Sequence, residues 1–523
     1  MAHPEMRQLL SRRMEMVSKS LQLFAVGCGV LLAAADVADS RAAPVPVGGG
    51  HSIETKDEAT QTTWYVDAEL IHLLEKEASR SVSTYLQSRD VLRTVDVKVT
   101  IDMNKKTVLA DFGKGFLPGA GEGYAETFLH ELAVTLRVYA EKAGLPIVDV
   151  DFRFQGKPLK DYFPKDLAVP PQARMNPRNA TALVSASHGL VRVFPSRSWE
   201  FQRPDAFGFR EDMITPAYGD VLQSLLVERS GLSVYRARSR AQGLHEESER
   251  PWEQMSSRYH VKAVMPARTD IWNSLPNETT NDREVNEDIR TRPLYANHLG
   301  VGAMISLHTN GHPMATTRGL EVFYHGDKPN DRPLAESVLC GMREQIRAQP
   351  GYENFPIRDR ANAGRHGENR IATMPAVLVE IAYHSNPEDS AALQDRVFRE
   401  ASMKGVEKGY RLFREGKDCT PLALRKIDRV TVPANGAAET NVHFDGHPQF
   451  PVTLSFTPVY CTQPGACRGE EKTVTEASAS PIKAQMTCEG SGYGMVNWST
   501  VMRDADGVTS GPIEHWMTCQ SGG

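Results

Sequence analysis

Three segments of the chain run apolar almost without a break, and each ends on a side chain that can hold a metal or move a proton. Thr181 to Gly189 closes on His188, Ala303 to Asn310 carries His308, and within Ala376 to Asp389 the apolar run through Tyr383 carries one carboxylate, Glu380, just ahead of polar turn residues. A continuous Val/Leu/Ile run is how a strand reads when helices cover both of its faces, and reacting groups in open parallel sheets gather at the carboxyl ends of such strands. The expected core is therefore α/β, a mainly parallel sheet flanked by helices, with the three strand ends meeting at one site.

The order His188-Gly189, then Glu211, then Ser306-x-His308-x-Asn310, then Val377-Leu378-Val379-Glu380-x-x-Tyr383-x-Ser385-Asn386 resembles the zinc-dependent N-acetylmuramoyl-L-alanine amidases of bacterial cell-wall metabolism. The likeness runs from about residue 178 to 415, with further matches at Arg292 with Ala296-Asn297, at Gly319 to Tyr324 and at Pro375. It implies His188, Glu211 and His308 as zinc ligands, Glu380 as the catalytic carboxylate and peptidoglycan as the substrate. One departure stands out. The family's first motif usually reads Asp-Pro-Gly-His-Gly-Gly, whereas Ser185-Ala186-Ser187-His188-Gly189-Leu190 lacks the aspartate and two glycines, which leaves the outer support of His188 unassigned.

The chemistry follows from the residue types. Two neutral imidazoles and one carboxylate leave a tetrahedral zinc with one open position, the ligand count of hydrolytic rather than structural sites. Zinc lowers the pKa of a bound water toward ~7 and polarises a carbonyl, while a nearby carboxylate takes the proton and returns it to the departing amine. Glu380, a lone charge closing a buried strand, fits that last role. The expected reaction is hydrolysis of the amide between the lactyl group of N-acetylmuramic acid and L-alanine. The rivals are a zinc peptidoglycan peptidase or carboxypeptidase and a catalytically inactive wall-binding protein.

Glu211-Asp212 precedes Thr215-Pro216, which reads as an N-cap and first helical residue, so Glu211 is expected on the approach loop, with Asp212 and Glu200 as substitute ligands. His130-Glu131-Leu132-Ala133-Val134 begins like a helical zinc motif but has Val134 where the second histidine belongs. His260, His298, His312, His325, His366 and His384 show no ligand spacing and are assigned solvated or packing roles. Arg292 is expected to pair a carboxylate at a helix surface.

Around this core the 523 residues divide further. Residues 1–43 read as a signal peptide or membrane leader, with Arg12, Arg13 and Lys19 ahead of an apolar stretch and small residues through Ala43. Residues 60–165 read as a strand-strand-helix-strand unit that resembles the small GerM domain, and residues 166–179 as a linker. Residues 178–418 are the catalytic region, in which Ala241 to Asn286 is either a lid or a solvated insertion. Residues 420–523 read as an all-β, immunoglobulin-like sandwich for targeting or partner binding. Six cysteines follow the leader, and the expected pairs are Cys340–Cys419, Cys461–Cys467 and Cys488–Cys519, formed in an oxidising space. The compartment is thus the periplasm, cell envelope or exterior. A formal net charge of -5 gives no polybasic signature, so nucleic acid is not an expected partner. A protein activator or an envelope ligand of the outer domains is the partner class left open.

Overall fold

The three apolar runs form the middle of a six-stranded sheet ordered Ser233–Arg236, Thr181–Ala186, Ala303–Asn310, Ala376–Tyr383, Glu321–Tyr324, Asn362–Ala363. The first four strands are parallel and Glu321–Tyr324 runs antiparallel beside Ala376–Tyr383, so the sheet is mainly parallel. Every residue of Ala303–Asn310 and Ala376–Tyr383 is buried, as uninterrupted apolar runs require. Register then fixes the site, because Ser185 pairs with Ser306 and His308 pairs with Glu380 at the carboxyl ends.

The computed structural model describes residues 53–57, 62–88, 91–119, 124–174, 176, 179–280, 282–462, 468–489 and 492–520. The expected leader at residues 1–43 and Cys467 lie outside these residues. Among the described residues, no helix is long and apolar enough to cross a membrane.

Helices cover both faces of the sheet. Glu211–Ser230, Asp331–Arg347 and Arg396–Glu415 bury Leu222, Val338 and Phe398 against Val184, Ile305 and Val379, while Ser257–Val264 and Arg283–Leu299 bury Val261 and Tyr295 against Leu183 and Met304. Asp331–Arg347 and Arg396–Glu415 meet backbone to backbone at Gly341 and Gly405, where a Cβ on Gly405 would lie 2.3 Å from the Cα of Met342. The stretch Ala241 to Asn286 is an ordered insertion with helices of its own, and Trp252 packs on His245 and into a small cluster with Trp199 and Tyr259.

Ahead of this sheet, Val97–Asp102, Thr107–Phe112, Tyr124–Lys142 and Asp149–Phe154 follow the expected strand-strand-helix-strand order. A further helix, Ala68–Gln87, was not expected; Asp67 caps it through the amide of Glu69 and Leu74, Ala78 and Val82 join the core. The stretch after it is no free tether. Gln172 donates to Asp331 and to the carbonyl of Met374, and Ala173 donates to the carbonyl of Thr373, fastening the segment to the catalytic region.

Beyond residue 420 two sheets of three and five strands share one core around Val442, Phe456, Trp498 and Met502. The chain enters this part by two short strands: Ala423–Ile427 belongs to the first sheet and Val430–Val432 to the second. The crossing residue, Asp428, accepts from Asn441 of the first sheet and has Lys426 beside it. Cys488–Cys519 bridges the two sheets, and Cys340–Cys419 ties helix Asp331–Arg347 to the start of the tail. Arg229 grips both carboxylate oxygens of Asp506 at 2.6 and 2.9 Å, which docks the tail on the catalytic region.

Candidate metal centre

His188 reaches the site because the chain turns sharply after Thr181–Ala186. His188 itself has φ 60° and Gly189 φ 110°, and a Cβ at 189 would sit 2.8 Å from the amide nitrogen of Ser256. A non-glycine residue in this left-handed region costs ~1–3 kcal/mol, so neighbours must hold it there. Asp212 does so: its Oδ1 accepts from the Gly189 amide at 2.7 Å and the Gln202 amide at 3.0 Å, and its Oδ2 accepts from the Arg203 amide. Asp212 is thus the support that the first motif lacks, and is occupied as such rather than as a substitute ligand. Glu200 is exposed on the strand Trp199–Phe201 and accepts from Ser198, away from the cluster.

The expected loop position of Glu211 is corrected by the structure. The helix begins at Glu211, and Pro216 lies inside it. A proline there leaves the carbonyl four residues back without its helical donor, which normally ends a helix. Arg238 replaces that donor, its Nη1 giving 2.7 Å to the carbonyl of Asp212 and 2.8 Å to the carbonyl of Ser187. The helix therefore keeps one more turn, and Glu211 sits at its positive end, where an anion is favoured.

Nε2 of His188 and Nδ1 of His308 each lie 3.3 Å from Oε1 of Glu211, and the two rings stand edge to face with centroids 5.0 Å apart. One ligand atom from each of His188, Glu211 and His308 falls within 4.8 Å of the others, an arrangement that can hold one ion. The remaining contacts of Glu211 Oε1 are Ser187 Oγ at 2.8 Å and the Thr309 amide at 3.0 Å. All three residues are buried, yet His188 Nε2 has no hydrogen-bond partner, and neither does Oε2 of Glu380, the strand neighbour of His308. Buried polar atoms left unpaired cost ~1–3 kcal/mol each, and a cation with its own solvent satisfies both.

The electrostatics point the same way. Burial, with Arg203 nearby, pushes His188 down to about 3 and keeps its ring neutral. Burial would raise the Glu211 carboxyl, but contact with His188 and His308 holds it well below the usual range. Burial also opposes charge on His308, but Glu368, Glu211 and Glu380 outweigh it and push the ring up to about 10. Glu380 is pushed up to about 8 by burial, with Glu211 and Glu321 adding to the rise.

One residue lies elsewhere than expected. Arg292 is buried at the heart of the region rather than on a helix surface, although it does pair carboxylates, those of Asp288 and Glu368. His130, His312 and His366 pack along a seam where helix Tyr124–Lys142 of the preceding α/β unit crosses the carboxyl edge of the sheet. His130 faces Asn310 Oδ1 at 3.3 Å and His366 at 3.1 Å, Thr135 faces His312 at 2.9 Å, and Glu126 accepts from the Gly367 amide at 2.9 Å. Val134 and Val138 bury against Tyr383, and Arg137 pairs with Glu321. The sequence carried a signal for this contact: Glu126, His130, Val134 and Val138 recur every four residues on a face distinct from that of Phe128, Leu132 and Leu136. A cavity of about 240 Å³ opens in the same seam among Leu129, Phe152, Phe154 and Phe323, and none of His188, Glu211, His308 and Glu380 lines it.

Residues 259–410 match the family described as N-acetylmuramoyl-L-alanine amidase. This stretch contains His308 and Glu380. A germination-specific N-acetylmuramoyl-L-alanine amidase of Bacillus subtilis is 26% identical over 133 residues, 25% of this chain and 53% of that protein. An N-acetylmuramoyl-L-alanine amidase of Mycobacterium tuberculosis is 29% identical over 137 residues, 25% of this chain and 55% of that protein. The matched region thus spans about half the length of these relatives. Among solved structures, the CwlD amidase of Clostridioides difficile in complex with the GerS lipoprotein aligns over 46% of this chain and 100% of its own, at 18% identity and a TM-score of 0.31.

Proposed function

We propose that the chain is a zinc-dependent hydrolase of peptidoglycan that cleaves the amide between N-acetylmuramic acid and L-alanine. The observation that carries this reading is the convergence of His188, Glu211 and His308 on one point beside an unpartnered Glu380 carboxylate oxygen, within a chain that matches the amidase family. Zinc held by the three side chains would supply Lewis acidity and an acidified water. The chain's own residues do the rest. His188 stays neutral and offers Nε2, Ser187 and the Thr309 amide orient Glu211, and Oε2 of Glu380 takes the proton from water and hands it to the L-alanine amine as the C–N bond breaks. Burial keeps bulk water from competing for that proton.

The outer parts take supporting roles in this reading. The unit at 60–165 is a GerM-like scaffold, the tail from 420 is an immunoglobulin-like sandwich that targets the enzyme or binds a partner, and the whole is exported to the periplasm or cell envelope. The two described disulfides suit an oxidising compartment. The test is digestion of purified peptidoglycan by the full chain: amidase action frees the amino groups of L-alanine and leaves the stems intact, while peptidase action frees other termini. Zinc-independent wall binding without cleavage would reject the proposal.

A further inference from the structure

The faces of the two histidines turned away from Glu211 are not solvated. Nδ1 of His188 lies 3.4 Å from Oε1 of Gln202, and Nε2 of Gln202 donates to Oδ2 of Asp288 at 2.9 Å. Asp288 pairs with Arg292, Arg292 pairs with Glu368, and Oε2 of Glu368 lies 3.0 Å from Nε2 of His308. Asp288, Arg292 and Glu368 are almost wholly buried. These contacts close a ring that starts at one candidate ligand and returns at the other, with Glu211 Oε1 as the remaining link.

We infer that Glu368 and Gln202 are positioning residues that set the two metal-binding histidines in opposite tautomers through the buried relay Gln202–Asp288–Arg292–Glu368. The inference rests on the proposed zinc site. A carbonyl oxygen at His188 Nδ1 demands N–H there and leaves the Nε2 lone pair facing Glu211. A carboxylate at His308 Nε2 demands N–H there and leaves the Nδ1 lone pair facing Glu211. His188 therefore offers its ε nitrogen and His308 its δ nitrogen. Arg292 is central because it bonds both carboxylates: without it Asp288 and Glu368 would be two buried like charges, and neither would hold its place. The aspartate missing from the first motif is thereby replaced twice, by Asp212 holding the turn and by Gln202 holding the ring.

Outer partners of this kind change metal affinity by ~10–100-fold. The experiment measures zinc affinity of the full chain by competition with a chromophoric chelator, for the wild type, Glu368→Gln and Gln202→Ala, with a thermal melt of each. Gln202→Ala removes no charge and tests the relay even where Glu368→Gln folds poorly. Both variants are expected to bind zinc ~10–100-fold more weakly while Gln202→Ala melts like the wild type, and Glu368→Asp is expected to recover part of the loss. In the cobalt(II)-loaded wild type, proton NMR should show two shifted, exchangeable ring N–H signals, one of which broadens selectively in Glu368→Gln. Zinc affinities of both variants within about threefold of the wild type would overturn the relay and leave the zinc site standing. A wild-type chain that binds no zinc would overturn both.

Discussion

The seam between helix Tyr124–Lys142 and the catalytic sheet hangs on one buried carboxylate, and replacing Arg137 by Met should show it. Arg137 and Glu321 are both almost fully buried and pair directly. Glu321 keeps three further donors when Arg137 is lost: Arg358 Nε at 3.0 Å, Tyr383 Oη at 3.0 Å and Asn362 Nδ2 at 3.2 Å. Burial would raise this carboxyl, yet Arg137 and Arg358 hold it down at about 2, against an ordinary value of 4.5. That depression corresponds to about 3 kcal/mol shared among its partners, and breaking a buried pair outright costs ~3–5 kcal/mol, so Arg137→Met should cost about 2–3 kcal/mol. The sign with pH is fixed as well. A lowered pKa means the stabilisation is complete above pH 4.5 and is lost as pH falls through about 2, so the wild-type seam should weaken across that window and the variant should weaken less. Urea melts at pH 7 and pH 3 measure the cost, and hydrogen exchange of amides in 124–142 locates it. A loss under ~0.5 kcal/mol at pH 7, or equal acid sensitivity in both proteins, would refute the reasoning.

Further outcomes follow from single contacts. Glu380→Gln should reduce turnover by ~10²–10⁴-fold while retaining zinc, read by product release and metal analysis; near-normal turnover would remove Glu380 as the base. Arg238→Met strips the donor from the carbonyls of Asp212 and Ser187, so zinc should bind more weakly and helix content should fall, measured by chelator competition and circular dichroism; unchanged affinity would disconnect that side chain from the placing of Glu211. Replacing Cys340 and Cys419 together by Ala opens a loop of 79 residues and should cost about 4 kcal/mol in a denaturant melt; a loss under about 1 kcal/mol would refute that contribution.

The sheet and much of the site were legible because burial on both faces leaves a trace in the sequence: Ala303 to Leu307 and Ala376 to Val379 are continuous apolar runs of strand length. His308 and Glu380 became neighbours once those runs were taken as parallel strands, and the register bears this out. The start of the helix that carries Glu211 was placed one turn too late because a proline rule is local, and the Arg238 that overrides it lies 26 residues beyond Asp212. The helix Ala68–Gln87 and the seam face of Tyr124–Lys142 escaped notice for a related reason: a single stripe satisfies one core, and a second stripe such as His130, Val134 and Val138 has meaning only with the partner surface in view. Arg292 was read as paired, which it is, but no pattern in one helix could reveal that two carboxylates bury it completely.

The most direct test is end-group analysis of peptidoglycan digested by the full chain with zinc, after chelation, and after zinc is restored. Release of L-alanine amino termini that disappears on chelation and returns with zinc is the expected result. Failure to release those termini, or release that ignores the chelator, would contradict a hydrolase built on His188, Glu211, His308 and Glu380.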